Sequence, residues 1–375
     1  MTKRRTAVIA TGIAAAAVAG GALGRAAARR RHEHQQAGEI LWKIPPQDLG
    51  CVRSFDGTEI AVRAAGDPDA PILIFVHGLT LDMTIWLEQW SDLSVEFWCV
   101  VMDLRSHGRS DPAADGDMSI RAMGRDVAAV LSTVAPNRPA VLIGHSLGGM
   151  AILAMAGEHP ELFGPNVAGV MLIGSASTSL FRGAVGSLTD LLRPRGGSLL
   201  DTVKRMDGLR KALVAHPTDV GGAVARFTQF GPGAPAHVVD HVAGLARRTS
   251  SEVWSGGLAE LMELDLRKAI PNVRVPALLL VGDHDRITPP GAAKALTSEL
   301  PQGRMIIIEG AGHMAMLERP HQVNLEIRSF AHQVLGTSER HPARQRKRRS
   351  APRPAPRSAP KSAAKAAPKA RKDQA

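Results

Sequence analysis

Six short apolar runs that end near a glycine, histidine or aspartate constrain the fold of this 375-residue chain more than any other feature. They are ILIFVHG (72–78), FWCVVMD (97–103), AVLIGHS (140–146), VAGVMLIG (167–174), PALLLVGD (276–283) and RMIIIEG (304–310). Continuous rather than alternating hydrophobicity is typical of strands buried on both faces. Helical patterns such as 119–134 and 320–335 separate most of the runs, and 51–66 indicates two strands around an Asp56-Gly57 hairpin signal. The sequence therefore predicts an α/β fold, with a mostly parallel eight-stranded sheet, an antiparallel start and helices on both faces.

One interval interrupts this alternation. Residues 177–271 contain several helical segments but no convincing strand, and they follow the sixth predicted strand. We expect a helical cap inserted there, over the carboxyl ends of the strands, where open α/β sheets bind ligands.

The charge of the chain is concentrated at its two ends. Residues 1–32 hold seven Lys or Arg and no acid, and residues 341–375 hold twelve Lys or Arg and one Asp. The part between them has 27 basic and 34 acidic residues, so its net charge is −7 although that of the whole chain is +11. These changes in charge and composition along the chain predict a leader (1–32), a linker (33–49), an α/β domain (50–337) and a tail (338–375).

The leader has an uncharged stretch from Thr6 to Gly24 between clusters of cationic residues. That stretch is just long enough to cross a bilayer core of about 30 Å, but it consists mostly of Ala and Gly. We expect a membrane anchor or a cleaved export signal, and a soluble leader is the alternative. The chain would then be membrane-associated or exported to the cell envelope, in an orientation that the flanking charges do not decide.

The tail is built from Ala, Pro, Ser, Lys and Arg, and it has too few apolar residues to offset the entropy of folding. We expect a disordered polycation, which could contact anionic lipid, an acidic wall polymer or nucleic acid without sequence specificity. A purely solubilising tail is the alternative. The two cysteines, Cys51 and Cys99, fit neither a metal site nor a disulfide framework, so we expect no metal and no cofactor.

A serine between glycines is the first candidate for chemistry. Gly144-His145-Ser146-Leu147-Gly148 matches G-x-S-x-G, follows a strand pattern and opens a helical one. That context is typical of a nucleophile elbow, in which the glycines permit a sharp turn and leave Ser146 exposed at a helix N-terminus.

A serine nucleophile needs a base, and the base needs a carboxylate. His313 follows the last predicted strand, and Asp283 and Asp285 follow the strand before it, so all would lie at one edge of the sheet. For the oxyanion, the loop after an early strand contains Gly78 and Leu79, and the N–H of Leu79 could face that of Leu147. We expect His77 to order this loop and His145 to have a structural role.

These motifs together resemble the α/β-hydrolase family, in its capped serine-hydrolase branch. The resemblance covers roughly residues 50–337 and depends on HGLT, DLRSHGRSD, GHSLGG, GDHDRITP and GAGHMAMLERP, in that order. It implies that Ser146 is the nucleophile, that Asp285 orients the base, and that His313 is the base. Ser106 departs from the family pattern, which commonly has glycine at that position.

The resemblance also excludes several reactions of the family. Dehalogenases and epoxide hydrolases attack with aspartate, and the latter also use tyrosines, which this chain lacks. Carbon–carbon bond hydrolases usually have asparagine before the serine, and proline iminopeptidases have GGSWGG. The leading hypothesis is a carboxylic-ester hydrolase that acts on a small-molecule ester with an apolar or lipid-like acyl group. A thioesterase, a lactonase, perhydrolysis as a side activity and a non-catalytic envelope binding module are the alternatives.

Overall fold

The computed structural model describes residues 47–179, 207–208 and 220–337 of the chain. Its strands are β1 Gln47–Arg53, β2 Glu59–Ala65, β3 Ile72–Val76, β4 Trp98–Met102, β5 Ala140–His145, β6 Val167–Ile173, β7 Ala277–Gly282 and β8 Gly303–Ile308. They form one eight-stranded sheet in the order β1-β2-β4-β3-β5-β6-β7-β8. The strands from β3 to β8 pair in parallel, while β1 with β2 and β2 with β4 pair antiparallel. The predicted sheet and its antiparallel start are confirmed.

The sheet begins slightly earlier than the sequence predicts. β1 starts at Gln47, three residues ahead of the expected domain boundary at residue 50. Residues 47–49 pair with β2 or lie in the irregularity between Asp48 and Cys51, and so they belong to the sheet and not to a linker. Most side chains of this edge strand are exposed, so β1 lacks the continuous apolar pattern of the buried strands.

The helices of the described residues are α1 Leu87–Leu93, α2 Ile120–Val134, α3 Leu147–Glu158, α4 Val220–Gln229, α5 Ala236–Arg248, α6 Ser251–Glu263, α7 Pro290–Glu299, α8 Ala315–Glu318 and α9 Pro320–Leu335. Local chemistry sets several of their ends. The Ser119 side chain accepts the Ala122 N–H at the start of α2, and Gly336, at φ +64°, ends α9 in the left-handed conformation.

Alternate residues of the central strands divide the core into two layers. Ile72 and Ile74 of β3 point to the layer covered by α2, α3 and α7, and Leu73 and Phe75 point to the layer covered by α1, α8 and α9. This two-sided burial explains why the strands are apolar at every position. Packing on both faces makes the sheet a rigid support. The loops at its carboxyl edge carry the polar side chains described below.

Three helices, α4, α5 and α6, lie in the chain between β6 and β7 and are called the inserted helices below. They contact loops at the carboxyl edge of the sheet: Thr249 donates its hydroxyl to the Thr80 carbonyl at 3.3 Å, and Glu260 accepts the Ile120 N–H at 3.0 Å. Most of 180–219, in the first half of the predicted 177–271 insertion, lies outside the described residues.

Within the described ranges, no helix is long and apolar enough to cross a membrane. The leader (1–32), most of the linker (33–49) and the tail (338–375) lie outside the described residues, and the interpretations given for them above stay predictions.

Candidate active site

Ser146 lies between β5 and α3 in a conformation that L-residues rarely adopt. Its φ is +50° and its ψ is −116°, whereas non-glycine residues favour negative φ. The neighbouring strand holds this turn, because the Ser146 N–H donates to the Ile173 carbonyl at 2.9 Å and the Ser146 carbonyl accepts the Ser175 hydroxyl at 3.0 Å. The serine thereby lies at the N-terminus of α3, whose dipole favours developing negative charge.

The glycines on either side of Ser146 are required by close backbone approach. A Cβ on Gly148 would lie 2.3 Å from the Val76 carbonyl oxygen, and a Cβ on Gly144 would lie 2.5 Å from the Gly149 nitrogen. Both distances are far below van der Waals contact. A side chain on Gly148 would therefore force α3 away from the end of β3, and one on Gly144 would force β5 and α3 apart at the turn.

The loop after β3 packs directly against the elbow. A Cβ on Gly78 would lie 3.2 Å from Cβ of Ser146, so the backbone of this loop passes close to the serine. Leu79 follows in the loop, and Leu147 is the first residue of α3, where N–H groups have no intrahelical partner. In the part of the chain that the structure describes, the N–H groups of Leu79 and Leu147 donate to no protein acceptor. These two N–H groups are therefore available to donate hydrogen bonds to a ligand near Ser146.

His313 and Asp285 form a buried hydrogen-bonded pair. Nδ1 of His313 lies 2.8 Å from Oδ2 of Asp285, and both side chains are at most 4% exposed. Asp283 instead lies on the surface, where it pairs with His284 at 2.8 Å. Of the two carboxylates that the residues alone left open after β7, the structure brings Asp285 to His313.

The Asp285 carboxylate is held in its charged form. Burial by itself would raise the pKa of Asp285, but the charge of His313 and hydrogen bonds from His313 and Thr288 outweigh it, so the pKa is lower than usual. The other oxygen, Oδ1, accepts the N–H groups of Ile287 and Thr288, both at 2.8 Å. A fixed anion next to Nδ1 keeps the proton on that nitrogen and leaves Nε2 as the basic atom.

His145 joins the elbow to the His313 loop. Its Nε2–H donates to the His313 carbonyl at 3.0 Å, and the two rings lie 4.8 Å apart. Burial, followed by the nearby charge of His313, holds the pKa of His145 well below its usual value, so this imidazole is neutral. Among the described residues Ser146 Oγ and His313 Nε2 share no hydrogen bond; catalytic contacts of this kind often tighten only in the substrate complex.

A second histidine pair holds the backbone on both sides of Leu79. His77 Nδ1 donates to the Gly78 carbonyl at 2.8 Å, and His107 Nε2 accepts the Thr80 N–H at 3.3 Å. Burial lowers the pKa of His77 to about 4 and that of His107 to about 3. Both rings are therefore neutral at pH 7 and order the loop, as expected for His77.

Two residues of this site were missed by sequence reasoning. Thr288 donates its hydroxyl to Asp285 Oδ2 at 2.7 Å and lies 3.2 Å from His313 Nδ1. Glu318 is buried and accepts the N–H groups of Gly231 and Gly312. Thr288 could have been found three residues after Asp285, where a hydroxyl can cap the turn. The contact of Glu318 with Gly231, which lies 87 residues away, has no local signal in the sequence.

Groups of His, Cys, Asp and Glu that could hold a metal ion are absent from the ranges the structure describes. Cys99 is buried in β4, which raises the pKa of its thiol far above the usual range, and Cys51 lies exposed on β1. Neither cysteine lies among the candidate site residues.

Comparison with known proteins identifies the family of the chain. The model of the alpha/beta hydrolase family matches residues 73–326 of the chain. Pimeloyl-[acyl-carrier protein] methyl ester esterase of Xanthomonas oryzae pv. oryzae is 26% identical over 274 residues, which is 70% of this chain and 96% of that protein. Bifunctional esterase/perhydrolase DCH of Acinetobacter calcoaceticus is 26% identical over 285 residues, 75% of this chain and 99% of that protein.

A solved structure supports the fold. The thermophilic esterase from Thermogutta terrifontis superposes with a TM-score of 0.62 at 23% identity, and the match covers 77% of this chain and 99% of that one.

Proposed function

The chain belongs to the alpha/beta hydrolase family and is an ester-bond hydrolase, and from that premise we propose that it cleaves carboxylic esters with Ser146 as nucleophile, His313 as base and Asp285 as the residue that orients the base. The observation that carries the proposal is that the Ser146 turn and the His313–Asp285 pair lie at the same edge of the sheet. The strained elbow of Ser146 lies next to a loop whose histidine has one ring nitrogen committed to a buried carboxylate, at 2.8 Å.

The proposed reaction runs in two steps through an acyl-enzyme. Ser146 Oγ attacks the ester carbonyl carbon while His313 Nε2 takes the hydroxyl proton, and the imidazolium then gives that proton to the departing alcohol. A water molecule then loses a proton to His313 and attacks the acyl carbon, which releases the acid and restores Ser146. Asp285 stabilises the imidazolium in both steps and stays ionised throughout.

The tetrahedral oxyanion would lie between the N–H groups of Leu79 and Leu147. Both donors are available, and the histidine contacts on either side of Leu79 hold its loop in place before substrate arrives. Preorganised donors of this kind stabilise charge that develops only in the transition state, and each typically contributes about 10²–10³ in rate.

For the substrate we propose an ester with an apolar acyl group. The inserted helices present apolar residues to the body: α5 buries Val238, Val239 and Val242, and Leu79 packs against α6. The Xanthomonas relative is named for a methyl ester of an acyl chain, which agrees with a linear acyl group and a small alcohol.

Labelling by a fluorophosphonate probe tests the proposal. We expect the full chain to react and Ser146→Ala to remain unlabelled, with Ser177→Ala as the matched control, because Ser177 is a buried serine whose hydroxyl contacts Glu299 and not the elbow. Hydrolysis of p-nitrophenyl esters of increasing length would then measure the acyl preference. Thioesters and lactones in the same panel distinguish the alternatives, and absence of labelling in a folded protein would favour a binding module.

The two ends of the chain carry a separate proposal. We propose that residues 1–32 anchor the enzyme in a membrane or direct its export, and that the basic tail (338–375) contacts anionic lipid, wall polymer or nucleic acid. Cell fractionation with N-terminal sequencing tests the first part, and a cytosolic protein that begins at Met1 would contradict it. For the second part, deletion of 338–375 should weaken binding to anionic vesicles or DNA at low salt.

A further inference from the structure

A buried carboxylate outside the pairs described above lies five residues after His313. Glu318 is the last residue of α8, and its carboxylate is shielded from solvent. Oε1 accepts the Gly312 N–H at 2.8 Å, and Oε2 accepts the Gly231 N–H at 2.7 Å. Burial of a carboxylate is unfavourable unless its oxygens accept hydrogen bonds. The two contacts therefore stabilise Glu318 in the interior.

The two N–H groups belong to different parts of the molecule. Gly312 precedes His313 in the loop after β8, and Gly231 lies in the turn between α4 and α5 of the inserted helices. Glu318 therefore bridges the loop that carries the histidine and the segment that covers it.

The two backbones meet without side chains between them. A Cβ on Gly312 would lie 2.5 Å from the Phe230 carbonyl carbon, and a Cβ on Gly231 would lie 2.6 Å from the Gly310 carbonyl oxygen. The His313 N–H itself donates to the carbonyl of Gln229, the last residue of α4, at 2.8 Å. The backbone at His313 is thus fixed by the inserted helices as well as by the sheet.

We propose that Glu318 is a positioning residue that ties the placement of His313 to the docking of the inserted helices, an inference that rests on the proposed role of His313 as the base. When α4 and α5 are docked, Glu318 and the Gln229 carbonyl hold the histidine loop from two sides. When they separate from the body, the His313 N–H loses the Gln229 carbonyl, Glu318 loses the Gly231 N–H and holds the loop through Gly312 alone, and the base leaves its alignment with Ser146. The proposed base is then aligned only while the inserted helices are docked.

Glu318→Gln tests this inference in the full chain. The substitution keeps the size of the side chain but replaces one acceptor oxygen by an NH₂ group, which cannot accept the N–H that it faces. We expect kcat/KM for a p-nitrophenyl ester to fall by about 10²-fold, mainly in kcat, because small displacements of a catalytic group have effects of this size. Glu309→Gln is the matched control, since it makes the same chemical change on an exposed side chain of the same loop.

Two further measurements distinguish positioning from general stability. The proton between His313 and Asp285 should give a downfield NMR resonance, which we expect to shift or vanish in Glu318→Gln, together with a change in the pH profile of kcat/KM. Glu318→Asp, which keeps both oxygens, should recover part of the rate, and it provides the test if the Gln variant does not fold.

Unchanged kcat/KM in the folded variants would overturn the inference, as would a rate loss with the resonance and pH profile unchanged. A wild-type chain that fails to label with fluorophosphonate would instead contradict the proposed function itself.

Discussion

The His313–Asp285 pair and the His77–Asp103 pair are built from the same residue types at corresponding places. In each pair the carboxylate and the imidazole follow two adjacent parallel strands, β7 and β8 in the first and β4 and β3 in the second, and all four side chains are buried. The distance between imidazole nitrogen and carboxylate oxygen differs, however: it is 2.8 Å in the first pair and 3.6 Å in the second.

The backbone accounts for this difference. Both nitrogens of His77 are already engaged, since Nε2 accepts the Leu104 N–H at 3.0 Å and Nδ1 donates to the Gly78 carbonyl. Asp103 likewise accepts the N–H groups of Met83 and Arg109, at 2.7 and 2.8 Å. Burial raises the pKa of Asp103 to about 7, because it outweighs the hydrogen bonds from the Arg109 and Met83 N–H groups and the charge of Arg109.

His313 contrasts with His77 in having an uncommitted nitrogen. Its Nδ1 faces Asp285, and its Nε2 makes no hydrogen bond to any residue in the described ranges. The proposed function assigns different roles to these two similar pairs: proton transfer to the first, and fixing of the Leu79 loop to the second. The number of backbone contacts on each imidazole predicts which role it has.

Replacement of His313 and of His77 by glutamine should give the largest difference in rate between the two pairs. His313→Gln should lower kcat by about 10⁶-fold, because the base is lost. His77→Gln should cost no more than about 10²–10³-fold, the effect of misplacing one oxyanion donor. Ester hydrolysis of both purified variants measures this, and equal losses would show that the two pairs do not differ in role.

The carboxylates provide the second test. Asp285→Asn should lower kcat by about 10⁴-fold with little change in folding, because the amide no longer favours the required tautomer of His313. Asp103→Asn should instead reduce the free energy of unfolding by about 1–3 kcal/mol, since one buried N–H loses its acceptor. Urea unfolding beside steady-state kinetics separates the two, and the comparison fails if Asp103→Asn has the larger kinetic effect.

Disturbing the contact between the inserted helices and Leu79 should have a smaller effect on the rate. A Cβ on Gly257 of α6 would lie 2.3 Å from Cδ1 of Leu79, whereas one on Gly256 would lie 3.3 Å from Cβ of Met118. Gly257→Ala should shift Leu79 and lower kcat/KM by less than about 10²-fold, the cost of losing one donor. Gly256→Ala, the matched control, should leave the rate unchanged; a rate loss in both would indicate a general effect on α6.

The loop histidines also predict how stability depends on pH. His77 and His107 have folded pKa values of about 4 and about 3, below the ordinary value of 6.5, so between those values the unfolded chain binds more protons and stability falls as the pH decreases. Asp103 opposes this trend between about pH 4 and 7, since its pKa is raised in the folded state. Between about pH 4 and 6.5 the two histidines together outweigh Asp103, so these three groups make stability fall as the pH decreases.

His107→Gln isolates one of these groups, because its amide oxygen can still accept the Thr80 N–H but cannot be protonated near neutral pH. The pH dependence of its unfolding free energy between pH 4 and 6.5 should be shallower than that of the wild type. An unchanged slope would mean that His107 is not buried as a neutral ring.

The sequence predicted much of the sheet and the elbow, because both depend on local patterns. Strands buried on two faces are apolar throughout, and G-x-S-x-G sets a turn within five residues. The choice of Asp285 over Asp283 needed the family resemblance, since both follow β7 and only tertiary contacts separate them. The contacts of Glu318 with Gly231 and of His77 Nε2 with Leu104 could not be predicted, because each joins segments that lie far apart in the chain.

The backbone conformation of Ser146 sets thermal stability against activity. A serine at φ +50° is strained by about 1–3 kcal/mol, and glycine would relieve that strain. Ser146→Gly should therefore melt at a higher temperature than the wild type while losing all labelling. If Ser146 is the nucleophile, as proposed, the substitution that relieves the strain also removes the reactive hydroxyl, so stability and activity at this position exclude one another.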